Sequence, residues 1–347
     1  VSKKQISARK KDHLRIATSD VSQTGDNGFS KYRFVHNALP EIDFDEIDLS
    51  TTFLGKKVKY PFFVSCMTGG MEDGLKINRN LAAAAQKYGI AMGVGSQRAA
   101  VEHKELRKLF MAREVAPNIP LIANVGLVQL NYGFTHKEFQ KCVDMIGADA
   151  LAVHINPIQE VIQPEGDRNF KDLLPKLSGL IDKISVPIIA KEVGFGISGD
   201  VAKKLYRNGI RTIDTAGWGG TSWAVVEGER RDGYKDLGAL FGNWGIPSAE
   251  SIVQVAAVAK KKGDLTVLGS GGIRNGGEMA KAIALGSDLV GVAAPFAKAA
   301  LESQEAVENL IESYALELKT AMFGVGAKTI EDLKKEGIKQ NPYIRGI

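Results

Sequence analysis

Eight short runs of apolar and β-branched residues recur along this 347-residue chain, at 62–65, 90–94, 121–124, 150–154, 188–191, 212–215, 266–269 and 289–293. Runs this short and this continuously hydrophobic read as strands buried on both faces, as in a parallel sheet. A polar or glycine-rich exit and then a helix-period segment follow each one. The clear helical cases are 75–87, where Leu81, Ala84 and Ala85 share a face, and 137–145, 170–184, 199–207 and 277–284. Of these, 137–145 in the third unit is the weakest helix reading. Gly89, Gly147, Gly209 and Gly286 close the helices ahead of several strands, and Pro120 and Pro187 open strands where a missing N–H costs little.

Eight β-then-α units make a closed (β/α)8 barrel of the α/β class the economical reading. The barrel spans 60–347 as a single domain, preceded by an N-terminal arm and barrel-floor segment at 1–59. Within that segment 19–27 reads as polar and mobile, and 53–60 as an edge hairpin closing the floor. The stretch 217–246 is too long for a plain connector and reads as an insertion over the active face after strand six.

A net charge of +5 suits an anionic small ligand better than nucleic acid, which leaves a concentrated basic face. The two cysteines, Cys66 and Cys142, stand apart without a C-x-x-C, which argues against a disulfide framework or a zinc site and fits a reducing cytoplasm. Lys3, Lys4, Arg9, Lys10 and Lys11 precede no apolar stretch, so they do not read as a secretory signal. No run approaches the roughly 18 apolar residues of a membrane span. The expectation is a cytoplasmic protein with no membrane or nucleic-acid partner. Trp244 and the helical segment 310–322 are candidates for joining subunits in a homo-oligomer.

In this fold the polar tails of different strands meet at one mouth, here Thr68, Ser96, Arg98, Asn124, His154, Gln159, Glu160, Lys191, Thr215, Thr221 and Arg274. The richest tail is His154-Ile155-Asn156-Pro157-Ile158-Gln159-Glu160: an imidazole, two carboxamides and a carboxylate. It suits a polyanion and one hard cation but offers no obvious acid/base pair. Ser270-Gly271-Gly272-Ile273-Arg274 after strand seven and Ala293-Ala294-Pro295 after strand eight occupy the recurrent phosphate position of barrels. Lys191 ends an otherwise apolar strand, either as a Schiff-base nucleophile or as a partner for an anionic cofactor atom. A bridge to Glu192 is disfavoured, because neighbours on a strand face opposite ways. Gly194-Phe195-Gly196-Ile197-Ser198-Gly199 is a literal G-x-G-x-x-G with Asp214 ending the next strand, yet it sits on the fifth of an unbroken strand series, a poor context for a dinucleotide domain. Gly217 through Trp223 sets three glycines and two indoles around a hydroxyl pair, able to wall a flat cofactor or an apolar tail. Cys66 reads as packing more readily than as a nucleophile.

Taken together, these segments resemble the type 2 isopentenyl diphosphate isomerases, which use FMN on a (β/α)8 barrel. The resemblance runs in order through Arg9-Lys10-Lys11-Asp12-His13, Met67-Thr68-Gly69-Gly70, Gly95-Ser96-Gln97-Arg98, the His154–Glu160 run, Lys191-Glu192-Val193-Gly194, Ala216 through Trp223, and Ser270 through Arg274. It implies FMN contacts at Met67, Thr68, Ser96, Asn124, Lys191, Thr221, Gly271, Gly272, Ile273, Arg274, Ala293 and Ala294. It places a substrate diphosphate near Arg9, Lys10, Ser96, Arg98, His154, Asn156 and Gln159, with Mg²⁺ on Glu160. The implied activity interconverts isopentenyl and dimethylallyl diphosphate for isoprenoid biosynthesis. A carboxamide cannot supply a proton near neutral pH and Glu160 is engaged by the cation, so the reduced flavin is the natural acid/base. Gln159 then orients or relays, Lys191 steadies the anionic side of the ring, Glu227 backs up the relay, and NAD(P)H serves only to reduce FMN. The alternatives are an FMN-dependent 2-hydroxyacid oxidase on the same barrel, with His154 as base and Arg274 for the carboxylate, and a non-catalytic sensor of a phosphate ligand.

Overall fold

The computed structural model describes residues 3–67, 72–335 and 338–340. Eight parallel strands close into a barrel in sequence order: β1 (Phe62–Val64), β2 (Met92–Gly93), β3 (Leu121–Gly126), β4 (Ala150–His154), β5 (Ile188–Lys191), β6 (Thr212–Asp214), β7 (Thr266–Ser270) and β8 (Leu289–Val292). Strand residues alternate between two cores. Phe63, Ile122, Ala150, Ala152, Ile189, Leu268 and Leu289 fill the barrel interior. Their neighbours Phe62, Val64, Leu121, Ala123, Leu151, Val153, Ile188 and Ala190 face the surrounding helices. The hairpin Thr51–Phe53/Lys56–Val58 stoppers the floor by adding Phe53 and Val58 to the inner cluster, as the sequence suggests.

The same period of two fixes what stands at the top. Continuing inward from Ile122, Ala152, Ile189 and Leu268, the next inward residues are Asn124, His154, Lys191 and Ser270. Pairing registers set His154 beside Lys191 and Lys191 beside Asp214, so β4, β5 and β6 contribute one level of the mouth.

Three sequence expectations change. The third unit is the more regular one: helix His136–Ile146 opens on a reciprocal Thr135/Glu138 capping box and closes on Gly147 in the left-handed region. The second unit is irregular instead, a five-residue helix Arg98–Glu102 broken at the extended His103 and continued as 3-10 turns over Lys104–Phe110. Residues 19–27 are pinned, not loose: the Ser222 N–H donates to Ser22 O at 2.8 Å, Thr24 N–H to Gly220 O at 3.0 Å, and Asn27 Nδ2 to Gly272 O at 2.8 Å. Their polarity saturates the backbone of distant glycine loops. The segment 310–322 lies in helix Gln304–Val325, whose stripe Ile311, Tyr314, Leu318 and Met322 is buried in this chain's own core. The insertion carries helices Trp223–Arg230 and Lys235–Leu240. Among the described residues, no helix is long and apolar enough to cross a membrane.

Candidate active site

The strand ends open onto a cavity of about 490 Å³, a size suited to small molecules. Its wall includes Met67, Ser96, Arg98, Asn124, His154, Asn156, Gln159, Glu160, Lys191, Thr221, Gly271 to Arg274, Ala293 and Ala294. Arg9 and Lys10 reach it from helix Lys3–Ala17, so the N-terminal arm lies over the mouth. Thr68 lies outside the described residues. Glu227 is fully buried and meets the cavity through Gln159.

Lys191 settles its partner by geometry. Its Nζ donates to Asp214 Oδ2 at 2.8 Å, both groups being buried, and Ser270 Oγ donates to Asp214 Oδ1. Burial lowers the pKa of the amine, but Asp214, aided by Cys66 and Glu192, more than offsets it and holds the pKa above the ordinary lysine value. Lys191 is therefore a fixed cation and not a free amine nucleophile. Beside it, burial and then the charges of Lys10, Lys191 and Arg98 push the His154 pKa down to about 3, so the ring is neutral. Its Nδ1 stands 3.0 Å from Asn124 Oδ1, an acceptor, and so carries the proton. Burial raises the Cys66 thiol to about 11, which leaves it protonated at neutral pH and a packing residue.

Pro157 sits in the first turn of a six-residue helix, Pro157–Ile162, that brings Gln159 and Glu160 inward. Asn156 Nδ2 donates to Gln159 Oε1 and to Glu160 Oε1, each at 2.9 Å. Gln159 Nε2 donates to Glu227 Oε1 at 2.8 Å, and His13 Nε2 lies 2.9 Å from the same oxygen. Arg230 pairs with the other Glu227 oxygen. Burial opposes the Glu227 charge, but His13, Arg230 and Gln159 together hold its pKa at about 2, and the carboxylate is ionised. Burial raises Glu160 against its bonds from the Asp167 N–H, at 2.6 Å, and Asn156.

The G-x-G-x-x-G loop is already filled by a carboxyl group of this chain, whose pKa burial raises to about 7. Glu192 Oε2 accepts the N–H groups of Val193 and Gly194 at 2.6 Å, Gly196 at 3.2 Å, and Phe195. Asp214, the apparent ribose acid, is spent on Lys191. A dinucleotide reading of this loop is thereby excluded. Trp223 lines the cavity and packs edge-on to His13 at 5.1 Å, whereas Trp218 Nε1 donates to Gly242 O at 2.9 Å inside the insertion.

The loop after β7 is a cradle with no room for side chains. A Cβ on Gly271 would meet Gly217 O at 2.2 Å, one on Gly272 would meet Gly219 O at 2.0 Å, and one on Gly220 would meet Gly272 N at 2.5 Å. Gly271 and Gly272 also take φ of +110° and +63°. Arg274 Nη1 fastens the arrangement by donating to Gly219 O at 3.2 Å and Gly272 O at 2.9 Å.

A family model described as FMN-dependent dehydrogenase matches residues 3–117 and 160–340. Among solved structures, a flavocytochrome b2 variant with pyruvate bound aligns at a TM-score of 0.70 with 18% identity, over 98% of this chain and 83% of that one. That likeness shows the fold. Over 340 residues the chain is 50% identical to the isopentenyl-diphosphate delta-isomerase of Nostoc sp., covering 97% of this chain and 96% of that protein. The chain belongs to the isopentenyl-diphosphate delta-isomerase family. A second relative of that name, from Rickettsia africae, is 45% identical over 334 residues, 95% of this chain and 97% of that one.

The residues present fit the flavin that this family membership implies. Bare backbone after β7 and the start of helix Ala294–Glu302 after β8 could cradle a phosphate, with Met67, Ile273 and Ala293 as apolar wall and Lys191 as a cation. Ser65 Oγ faces the same cavity, buried and without a hydrogen-bond partner among the described residues. Both Glu160 oxygens accept N–H groups, from Asn156 Nδ2 and the Asp167 backbone, and no cluster of three or more His, Cys, Asp or Glu stands among the described residues, so a hard cation here would rest on the Glu160 carboxylate, the unpartnered Asn156 Oδ1 and oxygens of its ligand. His13, Arg230 and Asp167 are the members of this isomerase-family site to which sequence reading gives no role. His13 stood in the quoted basic motif, and Arg230 one helical turn after Glu227 was the available signal.

Proposed function

We propose that the protein interconverts isopentenyl and dimethylallyl diphosphate, using reduced FMN and Mg²⁺, as a step in isoprenoid biosynthesis. The observation that carries this reading is a pair of anion sites on different sides of one mouth. The glycine cradle after β7 and β8 suits the cofactor phosphate. Arg9, Lys10 and Arg98 converge with His154, Asn156 and Glu160 near the ends of β2 and β4, and suit a diphosphate. The side chains between them are a neutral imidazole, a lysine locked to Asp214 and carboxylates already bonded.

Reduced FMN, when bound, supplies the acid and base that these side chains lack, without net electron transfer. The residues that would hold it are Met67, Thr68, Ser96, Asn124, Lys191, Thr221, the 271–274 loop, Ala293 and Ala294. Lys191 offers fixed positive charge to an anionic cofactor atom. Gln159, anchored between Asn156 and Glu227, orients the reacting carbons, and Glu227 keeps the Gln159 amide in one orientation. Helix Lys3–Ala17 excludes water from above. Glu160 would hold Mg²⁺, which would supply positive charge against the diphosphate. Since the neutral His154 presents only a lone pair at Nε2, an anion settling there draws a proton onto the ring. NAD(P)H serves as reductant, two free thiols suit a cytoplasmic setting, and exposed Leu240 and Trp244 support contact between identical subunits.

The 2-hydroxyacid oxidase reading is weaker on two counts. The basic arm carrying Arg9 and Lys10 over the mouth would have no diphosphate to serve, and Arg274 is committed to backbone carbonyls. The deciding assay gives anaerobic, reduced protein isopentenyl diphosphate and Mg²⁺. Appearance of the allylic isomer supports the proposal. No isomer, together with cofactor bleaching by a hydroxyacid, overturns it.

Two finer outcomes follow from the geometry. Gln159→Ala lowers kcat by about a hundredfold with FMN content retained, whereas Glu160→Gln mainly raises the Mg²⁺ concentration needed for diphosphate binding. Equal loss of FMN in both variants would contradict these roles. Burial and then Arg9 lower the Lys10 pKa to about 8, so its cation is present below pH 8 and lost above it. Titrating diphosphate into wild type and Lys10→Met across pH 6–10 should show the largest gap in affinity below pH 8, closing by pH 10. A gap independent of pH would exclude Lys10 as the titrating cation.

A further inference from the structure

We propose that Asp167 is a positioning residue that couples the arginine facing the diphosphate to the carboxylate assigned to the cation, so that Mg²⁺ and diphosphate bind cooperatively through it. The inference rests on the proposed function and assigns a role to a residue outside the motifs. Asp167 lies in the loop after helix Pro157–Ile162 and is buried. Its Oδ2 pairs with Arg98 Nη1 and accepts Gln129 Nε2 at 2.9 Å, while its own N–H donates to Glu160 Oε2 at 2.6 Å. One residue thus grips Arg98 by its side chain and Glu160 by its backbone.

The grip leaves Arg98 a donor for a ligand and fixes the Glu160 carboxylate beside it. Arg98, which lines the cavity, spends Nη1 on Asp167 and Nε on Glu102 at 3.0 Å, which leaves the Nη2 donors for a ligand. Gln129 Oε1 and Asn156 Oδ1, on either side of the junction, are buried acceptors without partners among the described residues, and both residues line the cavity. Two such acceptors call for donors such as cation-bound water. The loop has no slack, since a Cβ on Gly166 would meet Glu160 O at 1.7 Å. A shift of Arg98 toward an anion therefore moves Asp167, and with it the N–H that orients Glu160. Coupling of this kind is reciprocal: the cation improves diphosphate affinity by the factor that diphosphate improves cation affinity.

The test titrates inorganic diphosphate into FMN-loaded protein by calorimetry, with and without Mg²⁺. Wild type should bind more tightly with Mg²⁺, and Asp167→Asn should lose at least tenfold of that enhancement while keeping its FMN. Gly166→Ala, which displaces the same loop without touching a charge, should lose it too. Glu102→Gln removes the other Arg98 partner without contacting Glu160, so it should weaken diphosphate binding but keep the enhancement. Full enhancement in folded Asp167→Asn, or equal loss in Glu102→Gln, would overturn the coupling. Activity separates this from the parent reading: a wild type that makes no allylic isomer yet shows enhancement lost in Asp167→Asn refutes the reaction and supports the coupling.

Discussion

Gly272→Ala should emerge from purification nearly colourless. The new methyl would stand 2.0 Å from Gly219 O and 2.8 Å from Gly220 N, on a residue whose φ is +63°. Neither neighbour is a flexible tip that can swing away; both belong to the adjoining glycine loop, itself anchored by Arg274 at Gly219 O and by the Thr24 N–H at Gly220 O. Overpacking and a left-handed alanine together cost about 2–4 kcal/mol. If the strain falls on the cradle, FMN affinity drops by roughly 30- to 1,000-fold. Bound flavin is measured by absorbance after gel filtration. Gly179→Ala is the control, because Gly179 lies in helix Leu173–Ile181 with nothing within 4 Å of its would-be Cβ, and it should retain full colour.

Lys191→Met should be among the most destabilising single changes in the chain. It removes one partner from a buried ion pair and leaves Asp214 charged against the barrel interior, a loss of about 3–5 kcal/mol. Denaturant unfolding of the apoprotein measures it. Adding Asp214→Asn should restore most of the stability, since the amide keeps its bond with Ser270. The double variant should still bind FMN weakly, because the fixed cation is gone. Recovery of both stability and FMN affinity would mean that Lys191 serves the fold and not the cofactor.

Much of the barrel was legible because its signal is local. Each strand is short, apolar and bounded by a polar exit, and period-two parity places Asn124, His154, Lys191 and Ser270 on the inward face. The same parity, applied to β6, would have pointed Asp214 inward toward Lys191 instead of toward a ribose. Other features depended on contacts distant in sequence. Residues 19–27 read as loose because their partners are backbone groups of loops about 200 to 250 residues away, such as Gly220 and Gly272. The role of Glu192 was hidden because a glycine-rich N–H nest looks the same whether it awaits a phosphate or already holds a carboxylate. His13 and Asp167 acquire meaning only when the arm and the loop after Pro157–Ile162 fold back over the mouth. A capping box at Thr135 was there to be read, and it would have strengthened the third helix.

The most direct measurement counts isomer formed per bound flavin. Protein reduced once under anaerobic conditions is incubated in D₂O with Mg²⁺ and excess isopentenyl diphosphate, while absorbance is monitored. The expected result is deuterium-labelled allylic diphosphate in large molar excess over protein, with the spectrum of reduced FMN unchanged throughout. Product that stops at one equivalent as the flavin reoxidises, or isomer that forms equally well in flavin-free protein, would contradict it.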